Sequence, residues 1–510
     1  GLVRFLRGER EERERRRGGE HSVFGCLRAC VRGCLVAWLD WIASSLWRVL
    51  RGKMLDMEAR IDRRTFLAAA GATLPVLTLA QEVDDAPRLT HGPFVCPFDA
   101  EHAAIWARVS QPGTYTIELE NGPPFGDPLG PKRRVRSAAV AASADSDLTV
   151  RWVIDPLACD SSVSTLRVRR DEALVHSFET RFSSVEALRS SFTQGLCGYS
   201  PPPRGTTVVL GSCADEQRFP VQPVWDAMGK LAPDLVVMLG DTPYIESTDL
   251  AVQRRRYREF YEQPQLAALL RAHPFVGTWD DHDYASNDRF GAVEGRENSR
   301  RAFLEYHGPG EWGLDGQGIF TKRRVGAIEV FLLDTRWFAD TEPCPFDASK
   351  KTLLGAVQLR WLQEGLKAST APFKVLACGM IWNDAARPGK VDFWGHWAHE
   401  RDALFAWLGR EKIGGVVLVG GDIQRTRVVE HKTKEVVGYD LLELITTPIA
   451  NTVIESNNAP HPGLLFDKGV EQAFLSLTAR PEALTARMID GSGATMYEIE
   501  RTAHWLSDRR

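Results

Sequence analysis

Residues 206–244 read TTVVLGSCADEQRFPVQPVWDAMGKLAPDLVVMLGDTPY, and their pattern sets the fold. TTVVLGSC is a short apolar run that stops at small and polar residues, which predicts a buried strand. PVQPVWDAMGKLA has helical spacing behind a proline start, and LVVMLGD is a second buried strand. The same alternation continues downstream. DLAVQRRRYREFYEQPQLAALLRA predicts a long amphipathic helix, and FVGTWDDHD a third strand. IEVFLLDTR, FKVLACG and GGVVLVGGD follow, with AVQLRWLQEGLKA and HERDALFAWLGRE as helices between them. Apolar strands buried on both faces and joined by helices imply an α/β layered sheet over residues 205–510. FLSLTA, ALTARMID and ATMYEIE predict antiparallel strands that finish or flank that sheet.

Upstream, the texture differs. Between Leu89 and Phe182, AAIWARV, TYTIELE, LTVRWVI, STLRVRR and LVHSFETRF are β-rich segments divided by Gly, Pro, Asp and Ser. Little there has helical period, so residues 88–190 predict a small Ig-like β-sandwich, with 191–204 as linker. Residues 1–53 form an uncertain extension that opens on a mixed-charge run, GEREERERRR, read as disordered or not native. Residues 54–80 are organised as an export signal. Arg63-Arg64-Thr65-Phe66-Leu67 is a twin-arginine core, followed by AAAGATLPVLTLA and then EVDD. That address predicts passage through the twin-arginine export machinery to a bacterial periplasm or beyond the cell.

The net charge of −4 across 510 residues gives no global attraction to nucleic acid, and no nucleic-acid-binding module is evident. No stretch past residue 90 is long and apolar enough to cross a bilayer, so no stable membrane span is expected in the mature chain. The nine cysteines include three that precede the signal, and the spacing of the other six dictates no disulfide pairing.

The chemistry lies where the apolar strands run out. Cys213, Asp241, Asp280 to Asp283, Asp334 with Arg336, and Asp422 all follow strand segments. In α/β sheets the carboxyl ends of strands frame the ligand crevice, so these groups are expected to converge. A single Asp after a strand is usually a cap or a turn residue. Several Asp at one crevice repel one another unless cations are present. Cys213 offers a soft thiolate. Tyr244, with an ordinary pKa of about 10, ligates only a strongly acidic metal such as ferric iron. Carboxylates suit a second, oxygen-loving cation such as calcium. Two such metals would clamp a phosphoryl group, and His282 beside Asp281 is placed to protonate a leaving group. Arg336 could hold phosphate in bidentate fashion or pair with a core carboxylate, and Asn287 is a further candidate contact.

GSCADE, GDTPYI, TWDDHDY, LLDTRWF and GGDIQ, in that order, resemble the alkaline phosphatase D family of metallophosphoesterases. The upstream IWARV segment and the twin-arginine signal are also similar to that family. The resemblance implies a calcineurin-like layered catalytic domain using iron (Fe3+) together with calcium (Ca2+) or another divalent cation. It implies hydrolysis of phosphomonoesters or phosphodiesters, phospholipids among them. It assigns Cys213, Asp241 and Tyr244 to iron, with Asp241 bridging two metals, Asp281 and Asp422 as further ligands, and His282 as the catalytic residue. The sequence departs from the family at Gln424, where the motif usually carries a metal-binding histidine. An amide oxygen is a harder, weaker ligand than imidazole. His396, His399 and His431 are the nearby histidines that could compensate. The same departure motivates the alternative of a catalytically degenerate binding or scaffolding protein.

Overall fold

In a computed structural model of the chain, the described residues are 86–97, 103–121, 134–154, 164–180, 205–308 and 310–503. The segments expected to be an N-terminal extension, an export signal and a linker, together with Cys159 and Cys197, lie outside them.

Eight strands come first: β1 (Leu89–Pro97), β2 (Ala103–Val109), β3 (Gly113–Asn121), β4 (Arg134–Arg136), β5 (Val140–Ala142), β6 (Thr149–Ile154), β7 (Ser164–Arg170) and β8 (Ala173–Thr180). They form two antiparallel sheets, one ordered β1-β2-β6 and the other β4-β3-β7-β8 with β5 also on β3. Ile105, Val109 and Trp152 of the first sheet share an apolar core with Tyr115, Ile117 and Val168 of the second. The apolar run in β2 has a further cause. Side chains alternate across a strand, so Ile105 and Ala107 face that core while Ala104 and Trp106 face the downstream layers. Trp106 stacks on Phe94 with ring centroids 5.2 Å apart and donates Nε1–H to the Glu305 carbonyl at 2.7 Å. Asp147 adds an ion pair with Arg258 at 2.5 Å. These contacts seat the N-terminal sheets on the rest of one compact unit, residues 85–510.

The downstream strands divide between two larger sheets. β9 (Thr206–Gly211), β10 (Leu235–Leu239) and β11 (Phe275–Thr278) run parallel. Next come β12 (Thr321–Val325), β13 (Ile328–Leu332), the short hairpin β14 (Pro343–Cys344) and β15 (Asp347–Lys351), β16 (Phe373–Ala377), β17 (Val416–Gly420), β18 (Thr426–His431), β19 (Leu441–Ile445) and β20 (Leu464–Lys468). The tail supplies β21 (Ala473–Arg480), β22 (Ala483–Asp490) and β23 (Thr495–Thr502). One sheet has six strands, β11-β10-β9-β21-β22-β23, and the other seven, β12-β13-β16-β17-β19-β18-β20. The fold is mixed α/β.

The alternation of β9 shows how the layers stack. Val208 and Leu210 meet Val375, Val417 and Leu442 of the seven-stranded sheet in one core, while Val209 packs on Val224, Trp225 and Met228 of the helix Val224–Lys230. The expectation of one layered sheet is therefore corrected to two sheets with a core between them. A twisted open sheet rarely grows past about ten strands without splitting. The tail strands finish the first sheet because β21 pairs antiparallel with β9. Among the described residues no helix is long and apolar enough to cross a membrane.

Candidate metal centre and its cleft

Three parallel strands end in the same way. Cys213, Asp241 and Asp422 each stand two residues beyond β9, β10 and β17, with φ of 61°, 53° and 66°. Left-handed backbone at a residue other than glycine costs of order 1–3 kcal/mol, and such strain gathers at functional sites. Here it turns each side chain off its strand axis toward the common crevice. The loops also touch: the Cys213 amide donates to the Gly240 carbonyl at 3.2 Å and the Ala214 amide to that of Asp241 at 3.0 Å. Gly240 makes room for a neighbouring loop. A Cβ there would fall 2.3 Å from the Asp280 amide nitrogen.

Asp281 is the hub of the resulting acid cluster. It lies with Asp241 and His282, with Asp280 and Asp422, and with Asp288 and Asp392, the ligand atoms of each group being within 4.8 Å of one another. Asp241 Oδ1 and Asp281 Oδ1 are buried without a hydrogen-bond partner. Cys213 Sγ sits 3.3 Å from Asp241 Oδ2, and the Gln424 amide donates Nε2–H to Tyr244 Oη at 3.2 Å. Burial first, then the Asp241 carboxylate, pushes the Cys213 thiol well above its ordinary range. Burial, then Cys213 and Asp241, does the same to the Tyr244 phenol. Burial, with Asp281 adding to it against His282, raises Asp241 to about 6. Bare buried oxygens beside a thiol and a phenol that keep their protons are a donor set that fits a cation, since metal binding exchanges for those protons.

Two fixed cations enter from the other side. Arg336 is fully buried, its NH2 2.5 Å from Asp280 Oδ1 and its NH1 2.9 Å from Asp392 Oδ2. Of its two expected roles, the pairing of core carboxylates is the one these contacts display. Lys390 Nζ lies 2.7 Å from Asp392 Oδ1 and 2.6 Å from Asp422 Oδ2. Burial works against ionisation of Asp392, but Arg336 and Lys390 overcome it and hold the carboxyl well below the ordinary range. Burial keeps Asp422 high in spite of Lys390.

His282 opens into a cleft of about 620 Å3 whose walls include Tyr244, Gln424, Asn287, Arg218 and Arg255. Its Nδ1 is held by Glu246 and its Nε2 lies 4.0 Å from Asp281 Oδ2. Burial alone would lower its pKa, but the Asp241, Glu246 and Asp281 carboxylates together push it up to about 11. A protonated ring held at Nδ1 by Glu246 presents its other proton at Nε2, and Glu246 also accepts the Asn287 backbone amide at 3.3 Å.

Several sequence candidates are placed elsewhere. Asp334 accepts Trp279 Nε1–H at 2.8 Å and backbone amides, and Asp283 accepts the Asp280 amide at 2.5 Å. His431 is bound to Glu443, and His399 meets the Lys351 carbonyl. Among the described residues, no histidine besides His282 joins the clusters around Asp281. Glu246, Asp288, Lys390 and Asp392 were not expected from sequence. The one signal for the last two is the Pro388-Gly389 turn, after which Lys390 and Asp392 stand close together in a loop.

Carboxylates converging from several parallel strand ends below an open cleft, on a layered α/β frame, define a hydrolase-like centre able to take cations. A family model described as PhoD-like phosphatase matches residues 208–504, and the chain belongs to that family. An alkaline phosphatase D of Bacillus subtilis (strain 168) is 24% identical over 445 residues, covering 71% of each chain. Among solved structures, PhoD aligns with a TM-score of 0.60 at 18% identity, over 82% of this chain and 90% of that one. Purple acid phosphatase PPD1 from yellow lupin (Lupinus luteus) seeds aligns with a TM-score of 0.57 at 11% identity, over 82% and 74%.

Proposed function

We propose that the chain is an exported, metal-dependent hydrolase of phosphate esters of the alkaline phosphatase or phosphodiesterase type. The observation that carries this reading is the set of bare, buried carboxylate oxygens on Asp241 and Asp281, flanked by Cys213 and Tyr244 at the base of the His282 cleft. Cys213, Asp241 and Tyr244 would hold iron. Asp281 and Asp422 are left as ligands for a second cation, calcium in the sequence reading of a dinuclear site. Gln424 contributes through its contact with Tyr244. Metal at this place supplies positive charge that attracts and polarises a phosphoryl group. The remaining work falls to side chains of the chain itself. Arg218 and Arg255, more than half exposed at the cleft, draw in an anionic ester. His282 donates its Nε2 proton to the leaving oxygen, and Glu246 fixes the ring at Nδ1. Asn287 lines the substrate's path. Residues 54–80 carry the export reading.

The test is iron and calcium content of the purified protein together with hydrolysis of p-nitrophenyl phosphate and its bis-ester. Iron with turnover of either ester supports the reading, and preference between the esters assigns the subclass. Absence of iron together with no turnover of either ester would sink it in favour of the degenerate binding protein. His282→Asn should slow an alkyl ester by ~10²–10⁴-fold and a p-nitrophenyl ester much less, since a good leaving group needs no proton.

A further inference from the structure

The oxygen-rich side of the acid cluster, where the dinuclear reading puts its second metal, is crossed by a lysine. Arg387-Pro388-Gly389-Lys390 forms a tight turn closed by the Lys390 amide on the Arg387 carbonyl at 3.2 Å, with Gly389 at φ 85°. Pro then Gly at the two central positions is the pattern of a type II turn, in which only the second requires positive φ. The turn delivers Lys390 inward, where its side chain is 2% exposed. Its Nζ meets Asp392 at 2.7 Å and Asp422 at 2.6 Å, with Asp288 at 3.8 Å. Asp281, Asp288 and Asp392 are themselves within 4.8 Å of one another, so the ammonium stands among the oxygens a second metal would need.

From this placement we infer that Lys390 is the second cation of the centre: its ammonium fills the position framed by Asp288, Asp392 and Asp422, and the chain takes up one metal, at Asp241 and Asp281. The inference rests on the metal-hydrolase reading above, keeps its iron, and replaces the second metal of its dinuclear form with a cation of the chain itself. Three physical points support it. A strongly hydrated ammonium is buried only when paired, and here the pairing is to site carboxylates. Asp392 has one oxygen on Lys390 and the other on Arg336, so its charge is met without metal. A divalent ion added beside Lys390 would meet like charge in a poorly hydrated place, where repulsion is strong. Among the described residues Asp241 has no lysine or arginine within ion-pair distance, and Asp281 has only Arg336 NH2, at 3.8 Å, so the demand for metal is greatest there.

The experiment counts metal and does not depend on turnover. Wild-type protein should hold one equivalent of metal by elemental analysis, and calcium titrated calorimetrically should find no second tight site. Lys390→Met removes the charge while keeping most of the volume. It should take up a second equivalent, calcium, at least tenfold more tightly than the wild-type chain, with a calcium-dependent rise in melting temperature. Should that variant fold only when calcium is supplied, the assignment is supported as well. Lys390→Arg keeps a cation in place and should stay at one equivalent. Two tightly held equivalents in the wild-type chain, or a folded Lys390→Met protein indifferent to calcium, would overturn it. Failure of the hydrolase reading is distinguishable, because it shows as a wild-type chain that takes up no metal and turns over neither ester.

Discussion

Asp392 and Asp241 are both buried carboxylates of one cluster, but their surroundings differ. Asp392 has Arg336 at 2.9 Å and Lys390 at 2.7 Å, one on each oxygen. Asp241 has the Cys213 thiol at 3.3 Å on one oxygen and nothing bonded to the other. The first half of the cluster is neutralised by the chain and serves as scaffold. The second is left in deficit, and a deficit of negative charge compensation is what a protein maintains where a cation is to bind. Folding and function therefore place opposite demands on the same residue type on two sides of Asp281.

Mutation at the two positions should separate those demands. The largest effect is expected from Asp241→Asn, with loss of about 10³-fold or more in ester hydrolysis and loss of bound metal, read by steady-state kinetics and elemental analysis. Asp392→Asn should act on the fold first. It leaves Arg336 and Lys390 short of a partner and should cost about 3–5 kcal/mol in urea unfolding. Equal stability of the Asp392→Asn and parent proteins would break the comparison.

The metal-free protein offers a sharper contrast. The Asp241 carboxyl is raised from 3.8 to about 6 in the folded state, so the folded chain holds that proton more tightly than the unfolded one. Its contribution to stability is therefore lost as pH rises from 3.8 through 6, the reverse of the Asp392 case. Asp392, with its folded pKa depressed, stabilises above its unfolded pKa and loses that contribution in acid. After chelation, Asp241→Asn should then be more stable than its parent above pH 6, by up to roughly 3 kcal/mol, and equal to it below pH 3.8. Chemical denaturation across that range checks the sign. The smallest effect expected is from Gln424→His, which puts an imidazole beside Tyr244 and should tighten metal by about tenfold, or about 1.4 kcal/mol, in a competition with chelator.

The deficit half was largely legible in advance because its residues are marked by local contrast. Cys213, Asp241 and Asp281 each follow or interrupt an apolar run. The balanced half was not. Arg336 is 56 residues from both Asp280 and Asp392, so no window of sequence holds the pair. Lys390 carries a turn signal and nothing that points to Asp422. Glu246 is 36 residues from His282 and, without its partner in view, reads as a surface acid.

By itself, the sequence determined the main buried strands, the strand ends at which polar groups stand, and the mixed α/β class. These follow from periodicity and from the cost of burying polar side chains along a strand, both local properties. Only the tertiary structure decided that the strands split into two facing sheets and that β21 closes against β9. It alone decided which acids receive a fixed cation. Those outcomes depend on long-range packing: a buried charge settles with whatever partner the assembled layers bring within about 3 Å, and sequence distance carries no record of that approach.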